Sequence, residues 1–118
     1  MSAIVDQSDE RNTATITQDD GEGLLATVLQ DSVDATAAVT QNQGLDNEAW
    51  ISQQDEYSAT HHNTATITQE QGENNLAKIL QDGGVHNTAV IAQYQGSGNT
   101  ADIMQMGGEH NTATITQY

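Results

Sequence analysis

Along this chain a small residue, an aliphatic residue and a glutamine recur two positions apart, and the phrase x-x-Ala-x-(Ile/Val)-x-Gln is written ten times. The alanines are Ala3, Ala14, Ala26, Ala37, Ala49, Ala65, Ala77, Ala89, Ala101 and Ala113. Two residues after each stands Val5, Ile16, Val28, Val39, Ile51, Ile67, Ile79, Ile91, Ile103 or Ile115. Period two is the strand period, because successive side chains of an extended backbone point to opposite faces. Thr, Ile and Val add a preference for strands. Between phrases lie short connectors (SDER, DDGEG, DSVD, NQGLD, EQGEN, DGGVH, YQGSG, MGGEH) rich in Gly and acidic residues, which is turn chemistry. One connector, 54–62 (QDEYSATHH), is longer and reads as a bulging loop.

Strands of roughly seven residues joined by short turns allow an up-and-down antiparallel sheet or a solenoid with two strands per coil. The residues between the patterned ones decide. Even-numbered phrases carry Thr13-Thr15-Thr17, Thr36-Ala38-Thr40, Thr64-Thr66-Thr68, Thr88-Val90-Ala92 and Thr112-Thr114-Thr116. Odd-numbered phrases carry Ser2-Ile4-Asp6, Leu25-Thr27-Leu29, Glu48-Trp50-Ser52, Leu76-Lys78-Leu80 and Thr100-Asp102-Met104. Two outer faces of different chemistry are what a flattened two-strand coil produces. The expectation is therefore an all-β, two-strand-per-coil β-solenoid with cross-β, amyloid-like stacking. It forms a single domain over 1–118, with five coils of about 24 residues at 1–18, 24–41, 47–69, 75–93 and 99–117.

Identical residues would stack from coil to coil about 4.8 Å apart. Ala and Ile/Val would make a thin dry core, and the glutamines Gln7, Gln18, Gln30, Gln41, Gln53, Gln69, Gln81, Gln93, Gln105 and Gln117 would bond along the stack through their side-chain amides. Seven phrases begin with asparagine, Asn12, Asn47, Asn63, Asn75, Asn87, Asn99 and Asn111, which predicts a second amide ladder interrupted at Met1, Leu24 and Ala35. These Gln and Asn residues are the candidate assembly residues. The first phrase starts at Met1 and the last ends at Gln117, so capping repeats are not expected and both terminal coils (1–18 and 99–117) are expected to present open strand edges.

Composition narrows the function. Seventeen acidic residues against Arg11 and Lys78 give a net charge of −15, which disfavours nucleic acid and anionic membrane as partners. No apolar run is long enough to span a bilayer, so membrane insertion is not expected. No secretory signal is visible, as expected of a mature or trimmed form or of a protein kept inside. Without cysteine there is no disulfide framework and no thiol chemistry. Fourteen of the acids sit in the connectors, where they solubilise and oppose uncontrolled stacking.

The joined segments NTATITQ-EQGEN-NLAKILQ and QYQGSGNTADIMQ resemble curlin repeats, with the clearest stretches running from Gln71-Gly72 to Gln81 and from Gln95-Gly96 to Gln105. The resemblance extends over essentially all of 1–118. NTATITQY (Asn111 to Tyr118) is similar to the carboxyl end of the major curli subunit, whereas GLLATVLQ and NLAKILQ are more similar to the curli nucleator. The resemblance implies an exported protein of a Gram-negative-type bacterium that assembles into extracellular functional amyloid fibres of the biofilm matrix and is linked to adhesion. It also implies itself as partner, end to end, beside other curli subunits and the outer-membrane secretion channel. The chain departs from the family pattern in its Asn-type phrases on both strands, its acidity and its long 54–62 connector.

Other chemistry is thin. His62, His86 and His110 recur at intervals of 24 with His61 adjacent, so stacked imidazoles could share a soft divalent metal, although solvated turn histidines are the simpler account. The connectors lack the calcium-solenoid repeat, and no cofactor is expected. The threonine face supplies the alternative function, a soluble β-solenoid that uses a flat Thr array as a binding module, with ice as the specific ligand. No nucleophile elbow, HExxH or phosphate loop is present, and an enzyme is not expected.

Overall fold

A computed structural model describes residues 1–55 and 62–118. Each phrase forms one strand: β1 Ser2–Ser8, β2 Thr13–Asp19, β3 Leu25–Asp31, β4 Thr36–Asn42, β5 Glu48–Gln54, β6 Thr64–Glu70, β7 Leu76–Asp82, β8 Thr88–Tyr94, β9 Thr100–Met106 and β10 Thr112–Gln117. The strands begin one residue inside the phrase, so the leading Asn belongs to the turn rather than to the strand. The amide that opens seven of the phrases is consequently free to tie turn to turn.

The odd strands make one parallel five-stranded sheet in the order β1-β3-β5-β7-β9, and the even strands make a second in the order β2-β4-β6-β8-β10. This is the solenoid rather than the antiparallel meander. Register is uniform: Ala3 faces Ala26, Val28 faces Ile51, Gln53 faces Gln81, and the same holds through every pair. Successive glutamines of one sheet are 23, 23, 28 and 24 residues apart, so the long connector adds to a coil without shifting any strand. Residues 56–61, most of that connector and including His61, lie outside the described residues.

The two sheets face each other across a core made of the alanines and aliphatics alone. Ala26, Val28, Ala49, Ile51, Ala65, Ile67, Ala77, Ile79, Ala89 and Ile91 are completely buried. Alanine lets the sheets approach, and Ile or Val fills the gap between them. Parallel sheets need both faces protected. Here the inner face is dry and the outer face is half-buried by its own neighbours, as in the alternating pattern of β6. Ser52, which points outward, is buried between Leu29 and Leu80 of its column.

Turns are tight and lean on residues that tolerate a left-handed backbone. Asp34, Gln43, Gln71, Asn74, His86, Gln95 and His110 all have φ between 54° and 61°. Asn and Asp adopt this region at modest cost, whereas glutamine and histidine do so here because the turn is held on both sides by strands already in register. Gly72 answers a different need: a Cβ there would collide with Asn75 Nδ2 and the Gly96 carbonyl.

Candidate assembly site

The ten glutamines form two continuous ladders, one inside each sheet. In the first, Gln7 Nε2 donates to Gln30 Oε1 at 2.6 Å, and Gln30 to Gln53, Gln53 to Gln81 and Gln81 to Gln105 at 2.8–2.9 Å. In the second, Gln18, Gln41, Gln69, Gln93 and Gln117 are linked the same way, every step at 2.8 Å. The remaining amide hydrogens reach across the core edge to backbone carbonyls of the opposite strand or its turn; Gln69 Nε2 meets Glu48 O and Asn75 O at 3.1 Å. A buried amide is costly unless satisfied, and this arrangement pairs both ends of each interior glutamine with a copy of itself.

Every amide in both ladders points the same way, donating from the lower-numbered coil to the higher. The ladders therefore have a polarity. Gln7 and Gln18 carry side-chain oxygens that no ladder donor reaches, while Gln105 and Gln117 have no ladder acceptor beyond them and donate only to Thr88 O and Thr100 O.

The asparagines stack in register but do not bond amide to amide as the sequence suggested. Asn47 Oδ1 accepts from the backbone N–H of Asn75, Asn75 Oδ1 from that of Asn99, and Asn87 Oδ1 from that of Asn111, each at 2.9–3.0 Å. The Nδ2 groups donate to turn glycine carbonyls: Asn47 to Gly72 and Asn75 to Gly96, both at 3.0 Å. The turn glycine is needed because a Cβ there would meet the asparagine amide of its own turn and the carbonyl of the next turn glycine, as at Gly44 and Gly72. Asn63 opens the other column, its Oδ1 accepting from Asn87 N. Asn12 Oδ1 meets the backbone N–H of Ala35. Leu24, fully buried, fills the asparagine slot with hydrocarbon. At the far end of the glycine-facing column, Asn99 Nδ2 is buried without an acceptor.

The inward residues of the outermost strands are less covered than those between them. Val5 is 48 % exposed although its stacking partner Val28 is 0 % exposed. Ala113 and Ile115 of β10 are only partly buried against the core. The outer strand of each end thus offers inward-type side chains, ladder amides and an unpaired backbone edge together.

One edge carries charge in a single column, set by register: Arg11, Asp34, His62, His86 and His110. Arg11 Nε and Nη2 donate to the two oxygens of Asp34 at 2.6 and 2.8 Å. The Asp34 carboxylate holds the Arg11 guanidinium pKa above its ordinary value. His62 Nε2 lies 3.8 Å from Asp34. The imidazoles then stack face to face, with centroids 5.0 Å apart and planes 11° and 1° from parallel. In-plane lone pairs of parallel rings do not converge on a point. Among the described residues no group of three His, Cys, Asp or Glu side chains is placed to hold a metal ion.

The outer faces differ as the residues demand. The second sheet presents Thr13, Thr36, Thr64, Thr88 and Thr112 in one column, with mostly Thr in the next two and no charge in any of the three. The first sheet is mixed: Lys78 Nζ sits 4.8 Å from the Trp50 ring centroid, a cation–π contact, and Met104 and Met106 are well exposed.

Residues 72–107 match the family model described as curlin associated repeat. The matched stretch runs from Gly72 to Gly107 and contains β7, β8 and β9 with their turns. No curated protein matches the chain.

Proposed function

The chain belongs to the curlin-repeat family, a structural and non-enzymatic one, and from that premise we propose that it is a subunit of an extracellular functional amyloid fibre of the bacterial biofilm matrix, built by end-to-end strand addition. Curlin-family proteins are extracellular curli subunits. The observation that carries the reading is the polarity of the glutamine ladders. One end offers amide donors at Gln105 and Gln117, and the other offers acceptors at Gln7 and Gln18. A donor end matches an acceptor end and not a second donor end. Copies therefore add head to tail, which is a heterologous contact whose translation does not close and so makes a filament.

In that junction β9 meets β1 of the next copy and β10 meets its β2. Ala101 then stacks on Ala3, Ile103 on Val5 and Gln105 on Gln7, continuing the register found inside the chain. Burying the side chain of Val5 against Ile103 and completing two ladders supplies a few kcal/mol on top of the backbone ladder, at about 25 cal/mol per Å² of apolar surface. Secretion-channel and other-subunit partners fit the same reading, as surfaces met before or during addition.

The test is direct. Freshly isolated single particles at ~50 µM should form thioflavin-positive fibres, and preformed fibres should abolish the lag. Electron micrographs that show only single particles after days, with or without seeds, refute the reading. The uncharged threonine face favours one second reading, an ice-binding module. It requires thermal hysteresis from the single particle that is lost in Thr66→Lys, while fibre formation by that variant is unaffected.

A further inference from the structure

We propose that Tyr94 and Tyr118 form an oxidative cross-linking site, at which hydrogen peroxide and a haem peroxidase couple the two phenols into a dityrosine that staples the last coil to the one before it.

Tyr94 closes β8, and Tyr118 follows Gln117, the last residue of β10. Because β10 pairs with β8 in register, Gln117 beside Gln93, the two tyrosines become neighbours although 24 residues separate them. Their rings stack with centroids 5.8 Å apart and planes 26° from parallel. Tyr94 is half-buried and held by its strand, with Glu70 on its other side. Tyr118 is 86 % exposed and lies past the ladder, so its ring and backbone can swing until the two rings meet edge to edge. An oxidant reaches the pair from solvent. The chain has no cysteine to intercept a radical, and Trp50, Met104 and Met106 belong to strands of the opposite sheet.

Each phenol gives up one electron and one proton and becomes a phenoxyl radical, with unpaired spin partly on the Cε carbons beside the oxygen. One Cε of each ring joins the other in a new carbon–carbon bond. The hydrogens on those two carbons leave as protons while each phenolic oxygen regains one, which restores both aromatic rings. The pair has then lost two electrons and two protons in all. A haem peroxidase passes them to one hydrogen peroxide, which becomes two waters.

The link is confined to one chain. Along the outer column of the second sheet, Tyr94 and Tyr118 come after Asp19, Asn42 and Glu70. On the end-to-end reading above, β2 of the next copy sets Asp19 over Tyr118, and no second tyrosine comes within reach. Fibres and single particles should therefore give the same intrachain product. Its consequence is local. The outermost strand β10, with Ala113 and Ile115 only partly covered, is the one most prone to fray, and the new bond holds it on β8.

The only arginine and the only lysine, Arg11 and Lys78, make trypsin the assay. Cleavage after them leaves both tyrosines in peptide 79–118 and the third, Tyr57, which lies outside the described residues, in peptide 12–78. The full chain, as single particles and as fibres, is treated with hydrogen peroxide and a haem peroxidase, then unfolded, digested and weighed by mass spectrometry. Peptide 79–118 should be lighter by two hydrogens and show the blue fluorescence of dityrosine, whereas sulfoxide at Met104 or Met106 makes it heavier by oxygen. The product should be lost in Tyr94→Phe and in Tyr118→Phe and should persist in Tyr57→Phe. In the oxidised single particle, amide exchange over Thr112–Gln117 should slow severalfold relative to oxidised Tyr94→Phe. Dityrosine found mainly in joined peptides, whether 79–118 with 12–78 or two copies of 79–118, overturns the site, as does the absence of dityrosine. Unchanged exchange over Thr112–Gln117 overturns the staple. Fibres that never form count against the end-to-end reading alone, since the single-particle arm decides the site by itself.

Discussion

Replacing Gln69 by leucine tests the ladder where it is most enclosed. Gln69 is completely buried in β6. Its Nε2 donates to Gln93 Oε1 at 2.8 Å and to Glu48 O and Asn75 O at 3.1 Å, and its own oxygen accepts from Gln41 at 2.8 Å. Leucine has a similar volume, so packing changes little and the cost is polar. Gln41 Nε2 keeps two carbonyl acceptors, Leu25 O and Asn47 O. Asn75 O keeps the backbone N–H of Glu48. Gln93 Oε1 loses its ladder donor in a dry interior. One stranded buried acceptor costs about 1–3 kcal/mol, and the bond lost from Gln41 adds roughly 1 kcal/mol, for a total near 3 kcal/mol. For 118 residues the unfolding entropy is about 250 cal/mol/K, so each kcal/mol shifts Tm by ~4 °C and Gln69→Leu should lower it by about 12 °C. The assay is far-UV circular dichroism melting of fresh single particles. Gln117→Leu, at the partly exposed end of the same ladder, should cost under about 1 kcal/mol. Melting temperatures of the two variants within ~3 °C of each other would refute the claim that the glutamines act as a satisfied buried chain.

Four further outcomes follow. Ile91→Ala leaves a cavity in a fully buried column and should destabilise the particle by about 2–5 kcal/mol, read by denaturant titration. Gly72→Ala should cost more than Gly98→Ala, because Gly72 is packed against Asn75 and the Gly96 carbonyl whereas Gly98 (φ 67°) meets nothing and pays only backbone strain of order 1 kcal/mol; the two melting curves compare them. Raising salt from about 0.05 to 0.5 M should speed seeded growth, because copies with a net charge of −15 repel one another at a range that salt shortens, and a salt-independent rate would contradict this. Lys78→Met should blue-shift or otherwise alter Trp50 fluorescence while leaving seeded elongation near its original rate, since the pair lies on the outer face in the middle of the stack.

The pattern of alternate residues was enough, read by itself, to determine strand number, coil size, the inward Ala and Ile/Val sets and the glutamine ladders. Extended backbone has a strict two-residue period, and a residue that repeats at the same phase ten times stacks on itself once the two outer faces have decided for the solenoid. What the asparagines do was settled only in three dimensions. Their position one residue outside the strand is a matter of where the turn begins, and it sends their amides to backbone N–H groups and glycine carbonyls of the neighbouring coil. The direction shared by every glutamine amide is likewise invisible in composition, because one amide's orientation is imposed by the next through a hydrogen bond. Register likewise brought Arg11, Asp34 and three histidines, spread over a hundred positions of chain, into one column of touching neighbours. Periodicity is local and can be read along the chain, whereas polarity and charge adjacency are relations between coils and exist only once the coils are stacked.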